Sequence, residues 1–235
     1  DNNNNNNNNN TTFIANLRAA FSPPKNNNNT NDDKSSWTEM LRASPSLLAA
    51  TLSNFSLYLG YASMLTVLPL HASAIWGATP GEIGILFSGV SALGFIGAPL
   101  GGWVADRFGR KAVVVPSAIC IGLGAGCLSV VSSFSSFVAA VVIWGAGNSL
   151  ITPGLTAITV DLAPEDQKAS VLSLTRQAGD LAFLVGPIGL GLLAEFASNS
   201  HALALTSAIV FGTTGFFSLK AVETASPRQQ SRQKR

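Results

Sequence analysis

Six long apolar runs, separated by short polar connections, constrain this chain more than any other feature. Each run has about 20 residues or more, enough for an α-helix to cross a hydrocarbon core of about 30 Å. Backbone groups in lipid must be hydrogen-bonded within their own segment, so we predict helices; a membrane β-barrel would need alternating segments of about 10 residues. The predicted spans are 46–70, 81–104, 112–131, 136–160, 171–196 and 202–222.

The composition supports an all-α membrane protein. Only 11% of the residues are charged and the mean hydropathy is +0.33, whereas a soluble domain is charged at about 25% of its positions. Residues 1–44 are rich in asparagine and are predicted to form a disordered cytoplasmic tail. Residues 45–223 form the predicted six-helix transmembrane region, and 224–235 form a basic cytoplasmic tail. Because the chain begins with Asp1 rather than Met, we expect a fragment of a longer protein.

Positive charge is distributed asymmetrically about the predicted helices. The connections 71–80, 132–135 and 197–201 contain no Lys or Arg, so all 14 basic residues fall on the other side of the membrane. Lys and Arg accumulate on the cytoplasmic side, which places both termini in the cytoplasm. The net charge of +2 is spread over several turns and both ends, so nucleic acid is not an expected partner.

The connection between the second and third runs carries the most informative motif. Gly102 is separated by three residues from Asp106-Arg107, and one further residue separates that pair from Gly109-Arg110-Lys111. This pattern, between two apolar segments, resembles the signature loop of the major facilitator superfamily.

The resemblance implies a fold of two six-helix halves, each built from two inverted three-helix repeats. One half is present in 45–223, so the resemblance implies that the missing half or a second copy completes the protein. The sequence Glu223-Thr224 resembles the Glu-Thr that often closes the last helix of the family. The polar leader resembles the central linker, which favours the C-terminal half.

The charges of the loop require partners. Asp106 ends the second helix, where the helix dipole disfavours an anion, so a basic side chain or the N-terminus of another helix should compensate it. The resemblance implies the helix N-terminus, reached across the two halves as a conformational latch, and a pair between Arg110 and Asp161. The alternative is that Arg107, Arg110 and Lys111 only set the topology.

Two charged residues lie in the first half of the fifth predicted helix. Arg176 and Asp180 are four residues apart, so they share a helix face and can pair. Ionisable groups within a span are costly and usually face a cavity or a partner. Asp180 is therefore a candidate proton- or substrate-coupling group, and the alternative is an ion pair with Arg176 that fixes helix packing.

Further along the same helix, Gly186-Pro187 should produce a kink, because proline removes one backbone hydrogen bond and clashes with the preceding turn. The pair resembles the Gly-Pro motif of drug-antiporter members of the family. The second glycine pair of that motif is only partly kept, as Gly189 and Gly191, which leaves antiport open.

Polar residues at helical spacing provide candidates for a solute pathway. Asn54, Tyr58 and Tyr61 share a face of the first helix, and Asn148 and Thr152 share a face of the fourth. These residues could line a pathway or serve ordinary helix packing.

These observations predict a secondary transporter that moves a small organic solute across a bilayer, by proton-coupled transport or efflux. The alternative is a non-transporting receptor or scaffold that keeps the fold. Nothing in the sequence supports an enzyme, and we expect neither a metal nor a cofactor apart from a coupled proton.

Overall fold

The computed structural model describes residues 40–42, 44–165 and 167–224. Six long helices account for most of them: α1 (Pro45–Trp76), α2 (Pro80–Phe108), α3 (Lys111–Leu128), α4 (Phe134–Leu162), α5 (Lys168–Phe196) and α6 (Asn199–Lys220). The predicted all-α fold and the place of each apolar run are confirmed. The two predicted tails, 1–44 and 224–235, lie outside the described residues except for 40–42, 44 and 224.

The first helix differs most from its prediction. It continues beyond residue 70 to Trp76, and the chain then turns at Gly77 with a left-handed φ of 64°. Among the described residues, five helices, α2 to α6, are long and apolar enough to cross a membrane. The hydroxyl, amide and phenol groups of α1 keep it outside that set, although its 32 residues exceed the length required.

The packing of the six helices shows the internal symmetry expected of two inverted three-helix repeats. The contact of α1 with α5 has its counterpart in the contact of α4 with α2. The contact of α1 with α6 is likewise matched by that of α4 with α3, and α3 packs against its own counterpart α6. Helices α1 and α4 are therefore the equivalent central helices of the two repeats.

Small residues bring the backbones of α2 and α4 together. Gly97, Gly101 and Ala105 recur every four residues, so they form one stripe along α2, and they are its only buried residues. A Cβ atom at Gly101 would lie 2.5 Å from the carbonyl oxygen of Leu150. This approach is the small-residue packing that helices use in lipid, where apolar side chains gain little by leaving the tails.

Outside that stripe, α2 exposes a broad apolar surface. Phe95 is 85% exposed and Trp103 is 55% exposed. Its counterpart α5 does the same, with Leu184 66% exposed and Ile188 62% exposed. The two helices are the least buried of the candidate spans, so the repeat-related pair leaves two apolar faces uncovered by this bundle.

A pair of glycine substitutions tests the packing of α2. Gly101→Ala should lower the free energy of unfolding by about 1–3 kcal/mol, because the added methyl group overpacks the contact with Leu150. Gly94→Ala is the matched control, since it lies in the same helix with no atom within 4 Å of its Cβ position. Thermal unfolding in lipid nanodiscs measures both, and equal stability of the two variants would contradict the packing.

Candidate functional site

Two adjoining cavities lie among α1, α4 and α5. The aromatic cavity, of about 250 Å³, is lined by Leu57, Tyr58, Tyr61, Asn148, Thr152 and Phe183. The Arg176 cavity, of about 450 Å³, is lined by Asn54, Tyr58, Leu155, Thr156, Thr159, Leu172, Ser173, Thr175 and Arg176. Tyr58 lines both cavities, so they meet at its ring.

Aromatic rings from α1 and α5 line the aromatic cavity. The Phe183 ring on α5 packs edge-on against Tyr58 and Tyr61, with ring centroids 5.5 and 5.8 Å apart. Tyr61 also lies 5.8 Å from the ring of Trp144 on α4. Such spacings are typical of interacting aromatic pairs, so the rings hold one another in place.

The Arg176 cavity has a different chemistry. Five hydroxyl groups contribute to its lining, from Tyr58, Thr156, Thr159, Ser173 and Thr175. Three of the five, those of Thr156, Thr159 and Thr175, donate to carbonyl oxygens of their own helices. The cavity lies among the last turns of α4 and the first turns of α5, near the end of the bundle where the charged loop is found.

Close contact between α1 and α5 fixes the position of Tyr58. The amide nitrogen of Asn54 donates to the carbonyl oxygen of Thr175 at 2.5 Å. One turn further along α5, a Cβ at Gly179 would lie 2.9 Å from Cδ2 of Tyr58, so only glycine leaves room for the ring. Gly186 similarly lets Ala62 approach, with 3.0 Å between the two Cβ positions.

Arg176 and Asp180 of α5 do not form the ion pair that the sequence offered as one alternative. Arg176 and Asp180 are both exposed, and the ion pairs found among the described residues do not include them. Asp180 lines neither cavity, although it lies between Arg176 and Phe183 along α5. Pro187 is accommodated inside one continuous helix, and its kink stays a prediction.

The charged loop at the end of the bundle holds a compact network. Arg110 lies between two carboxylates, with Nη1 2.7 Å from Oδ1 of Asp106 and Nε 3.3 Å from Oδ2 of Asp161. The predicted pair of Arg110 and Asp161 is therefore present, and Asp106 has a basic partner in its own loop. The role of this network as a latch between two halves stays a prediction.

Lys111 caps the C-terminal end of α6, and Glu223 caps the N-terminal end of α3. The ammonium group of Lys111 donates to the carbonyl oxygens of Ser218 and Ala221, at 2.5 and 3.1 Å, where the α6 dipole is negative. A carboxylate oxygen of Glu223, just beyond α6, accepts from the backbone N–H of Lys111 at the positive end of α3. Arg110, the N-cap residue of α3, makes no side-chain cap of its own, so Glu223 supplies the missing acceptor.

The remaining loop residues have local roles. Gly109 has a φ of 108°, and a Cβ there would collide with the Glu223 carboxylate, so glycine is required on both counts. The Arg107 guanidinium lies over the rings of Trp103 and Phe108, 5.3 and 5.7 Å from their centroids. A Cβ at Gly102 would have no atom within 4 Å.

The structure brings most of the predicted pathway residues together. Asn54, Tyr58, Asn148 and Arg176 all line one of the two cavities, as do Tyr61 and Thr152. Sequence reasoning missed Phe183, because its pattern does not differ from that of other apolar residues in a span. Its position three residues after Asp180, on the same helix face, was the signal that could have identified it. Sequence reasoning also missed Thr156 and Thr159, which extend the spacing of Asn148 and Thr152 along the same face of α4. No cluster of His, Cys, Asp or Glu among the described residues could hold a metal ion.

The long apolar helices, their repeat-related packing and the charged loop define an integral, multi-pass membrane protein. The family model of the Major Facilitator Superfamily matches residues 50–235, most of the chain. The chain therefore belongs to the Major Facilitator Superfamily.

Individual relatives agree with this assignment. The chain is 27% identical over 162 residues to the quinolone resistance protein NorA of Staphylococcus aureus, an alignment that covers 69% of this chain and 41% of NorA. Its fold is similar to that of the peptide transporter POT crystallised with sulfate, with a TM-score of 0.71 at 17% identity over 80% of this chain and 42% of that one. A bacterial homologue of the human drug peptide transporters PepT1 and PepT2 gives a TM-score of 0.68 at 18% identity, over 79% of this chain and 44% of that protein. The chain thus spans about two fifths of the length of these proteins.

The charged network leads to a prediction about stability. Arg110→Gln should lower the free energy of unfolding by about 1–2 kcal/mol, because its side chain is only 14% exposed and serves two carboxylates. Lys168→Gln is the matched control, since it breaks an exposed pair with Glu165, whose side chain is 91% exposed, and should cost about 0.5 kcal/mol or less. If both variants lose the same free energy of unfolding in nanodiscs, the Arg110 network is no stronger than a surface ion pair.

Proposed function

We propose that this chain forms one bundle of a secondary transporter, which moves a small organic solute through the two cavities among α1, α4 and α5. The observation that carries the proposal is the continuous polar and aromatic lining on the two central, repeat-related helices. In an otherwise apolar bundle, polar side chains gathered on one face are the usual mark of a solute pathway.

A second six-helix bundle would complete the pathway, supplied by the rest of a longer polypeptide or by a second copy of this chain. Two observations support this. The relatives are more than twice as long as the matched region, which covers 41% of NorA. The apolar faces of α2 and α5 are left uncovered by this bundle.

Alternating access would then follow from rocking of the two bundles about the cavities. The Asp106–Arg110–Asp161 network lies at the end of the bundle where the Arg176 cavity is found, and a second bundle packed on α2 would lie close to it. Breaking and remaking the contacts of Asp106, which is 67% exposed, would latch one of the two states. By the positive-inside rule, this end faces the cytoplasm.

Coupling to protons would use Asp180. It is an acid within a membrane span, it is exposed on the side of α5 that holds Arg176 and Phe183, and no basic side chain among the described residues pairs with it. A carboxyl group in that position can bind a proton in one state and release it in the other. The similarity to a quinolone resistance protein supports an organic compound as the solute.

A flux measurement tests this function. The protein expressed from its full-length coding sequence is reconstituted in liposomes, and a proton gradient is imposed across the membrane. Uptake is measured with three naphthalene probes of different charge: naphthalenesulfonate, naphthalenemethanol and naphthylmethyl-trimethylammonium. We expect at least one probe to accumulate in response to the gradient, and Asp180→Asn should abolish accumulation while exchange of probe across the membrane without a gradient persists.

Glu195→Gln is the matched control for Asp180→Asn, because Glu195 is an exposed acid on the same helix that lines neither cavity. It should leave accumulation unchanged. Gradient-driven accumulation that survives in Asp180→Asn would exclude Asp180 as the coupling group. Probe binding with no flux of any kind would instead favour a receptor or scaffold that keeps the fold.

A further inference from the structure

We infer that the solute taken by the two cavities is an aromatic organic anion, with its acidic group at Arg176 and its flat ring against Tyr58, Tyr61 and Phe183. The inference rests on the proposed function and names the chemical class of its solute. A carboxylate and a sulfonate present the same oxygen acceptors to a guanidinium group, so both belong to this class.

Charge gives the first argument. Of the described residues that line the two cavities, Arg176 is the only charged one. Its guanidinium is exposed to the cavity and forms no ion pair with a described acid, so its donors remain available to a ligand. An anion that enters would neutralise a charge that is costly to leave uncompensated within a membrane span.

The surrounding hydroxyl groups supply the second argument. Tyr58 and Ser173 line this cavity with hydroxyl groups that donate to no acceptor among the described residues, whereas Thr156 and Thr175 donate within their own helices. A hydroxyl proton that is still available can be donated to an oxygen of an anion, and none of the described lining residues of this cavity is an acid that would repel the anion. The Arg176 cavity is therefore suited to an anionic group rather than to a cation.

The shape of the neighbouring cavity provides the third argument. The rings of Tyr58, Tyr61 and Phe183 all line the aromatic cavity and pack edge-to-face on one another, and Tyr58 belongs to both cavities. A solute whose anionic group reaches Arg176 would place an attached ring among these side chains, where aromatic contacts and apolar burial favour it. The combination requires a solute with an acidic end and a flat apolar end.

Asp180 is the competing feature, because an acid one turn from Arg176 could attract a cation instead. It lines neither cavity, whereas Arg176 does. The two alternatives make opposite predictions for the charged probes, so a binding experiment separates them.

The experiment measures equilibrium binding of the three naphthalene probes to the full-length protein in nanodiscs, with empty nanodiscs subtracted. We expect naphthalenesulfonate to bind more tightly than naphthalenemethanol, and naphthylmethyl-trimethylammonium to bind least. Arg176→Gln should weaken naphthalenesulfonate binding by about tenfold or more, the usual effect of losing a charge-assisted hydrogen bond, and leave the neutral probe unchanged. Arg176→Lys should restore part of the affinity.

Two further variants complete the design. Lys168→Gln removes an exposed positive charge eight residues earlier on α5, outside both cavities, and should leave all three affinities unchanged. Phe183→Ala should weaken the three probes alike, because it removes the shared aromatic contact. Unfolding temperatures are measured for each variant, so that a binding loss is compared only among folded proteins.

Tighter binding of the cation than of the anion, or unchanged anion binding in folded Arg176→Gln, would overturn the inference. If the cation binds best and Asp180→Asn removes its binding, the site is a cation site. Flux of another probe without naphthalenesulfonate binding would leave the transporter proposal intact and refute the solute class. Arg176-dependent binding of naphthalenesulfonate without flux would support the solute class and refute transport.

Discussion

Close approach of helix backbones at glycine positions holds the bundle together, and the rest of the structure depends on it. In lipid the apolar side chains gain little by packing against one another, so helices associate where small residues allow intimate contact. The central helix α4 is approached in this way on two sides, by Gly101 of α2 at Leu150 and by Gly124 of α3 at Trp144. The other central helix, α1, is approached by α5 through Gly179 and Gly186.

This division of the helix surfaces explains where polar groups can be placed. The glycine contacts hold α1 and α4 to their neighbours, which leaves the remaining face of each central helix available for phenol, amide and hydroxyl groups. Those groups keep α1 outside the set of candidate membrane spans, and several of them also line the cavities. The same polarity that weakens α1 as a membrane span is thus what equips it to contact a solute.

The sequence was sufficient to predict the six helices, because runs of about 20 apolar residues permit little else in lipid. The pair of Arg110 and Asp161 was also predictable, from the resemblance of the charged loop to the family's signature. The partners of Lys111 were not predictable, because they depend on α3 packing beside α6, which no local sequence pattern indicates.

Phe183 was missed for a related reason: an aromatic residue in a span has the same appearance in sequence whether it faces lipid or a cavity. The absence of an Arg176–Asp180 pair shows that four-residue spacing permits an ion pair without producing one.

The reciprocal capping of α3 and α6 has a consequence for the order in which the protein is assembled. Lys111 and Glu223 are 112 residues apart, so the charged loop is synthesised long before its capping partners. Until α6 has entered the bilayer, the Lys111 ammonium lacks its carbonyl acceptors and the N-terminus of α3 lacks the Glu223 carboxylate. The closing of these two contacts is therefore among the last events in the assembly of this six-helix bundle.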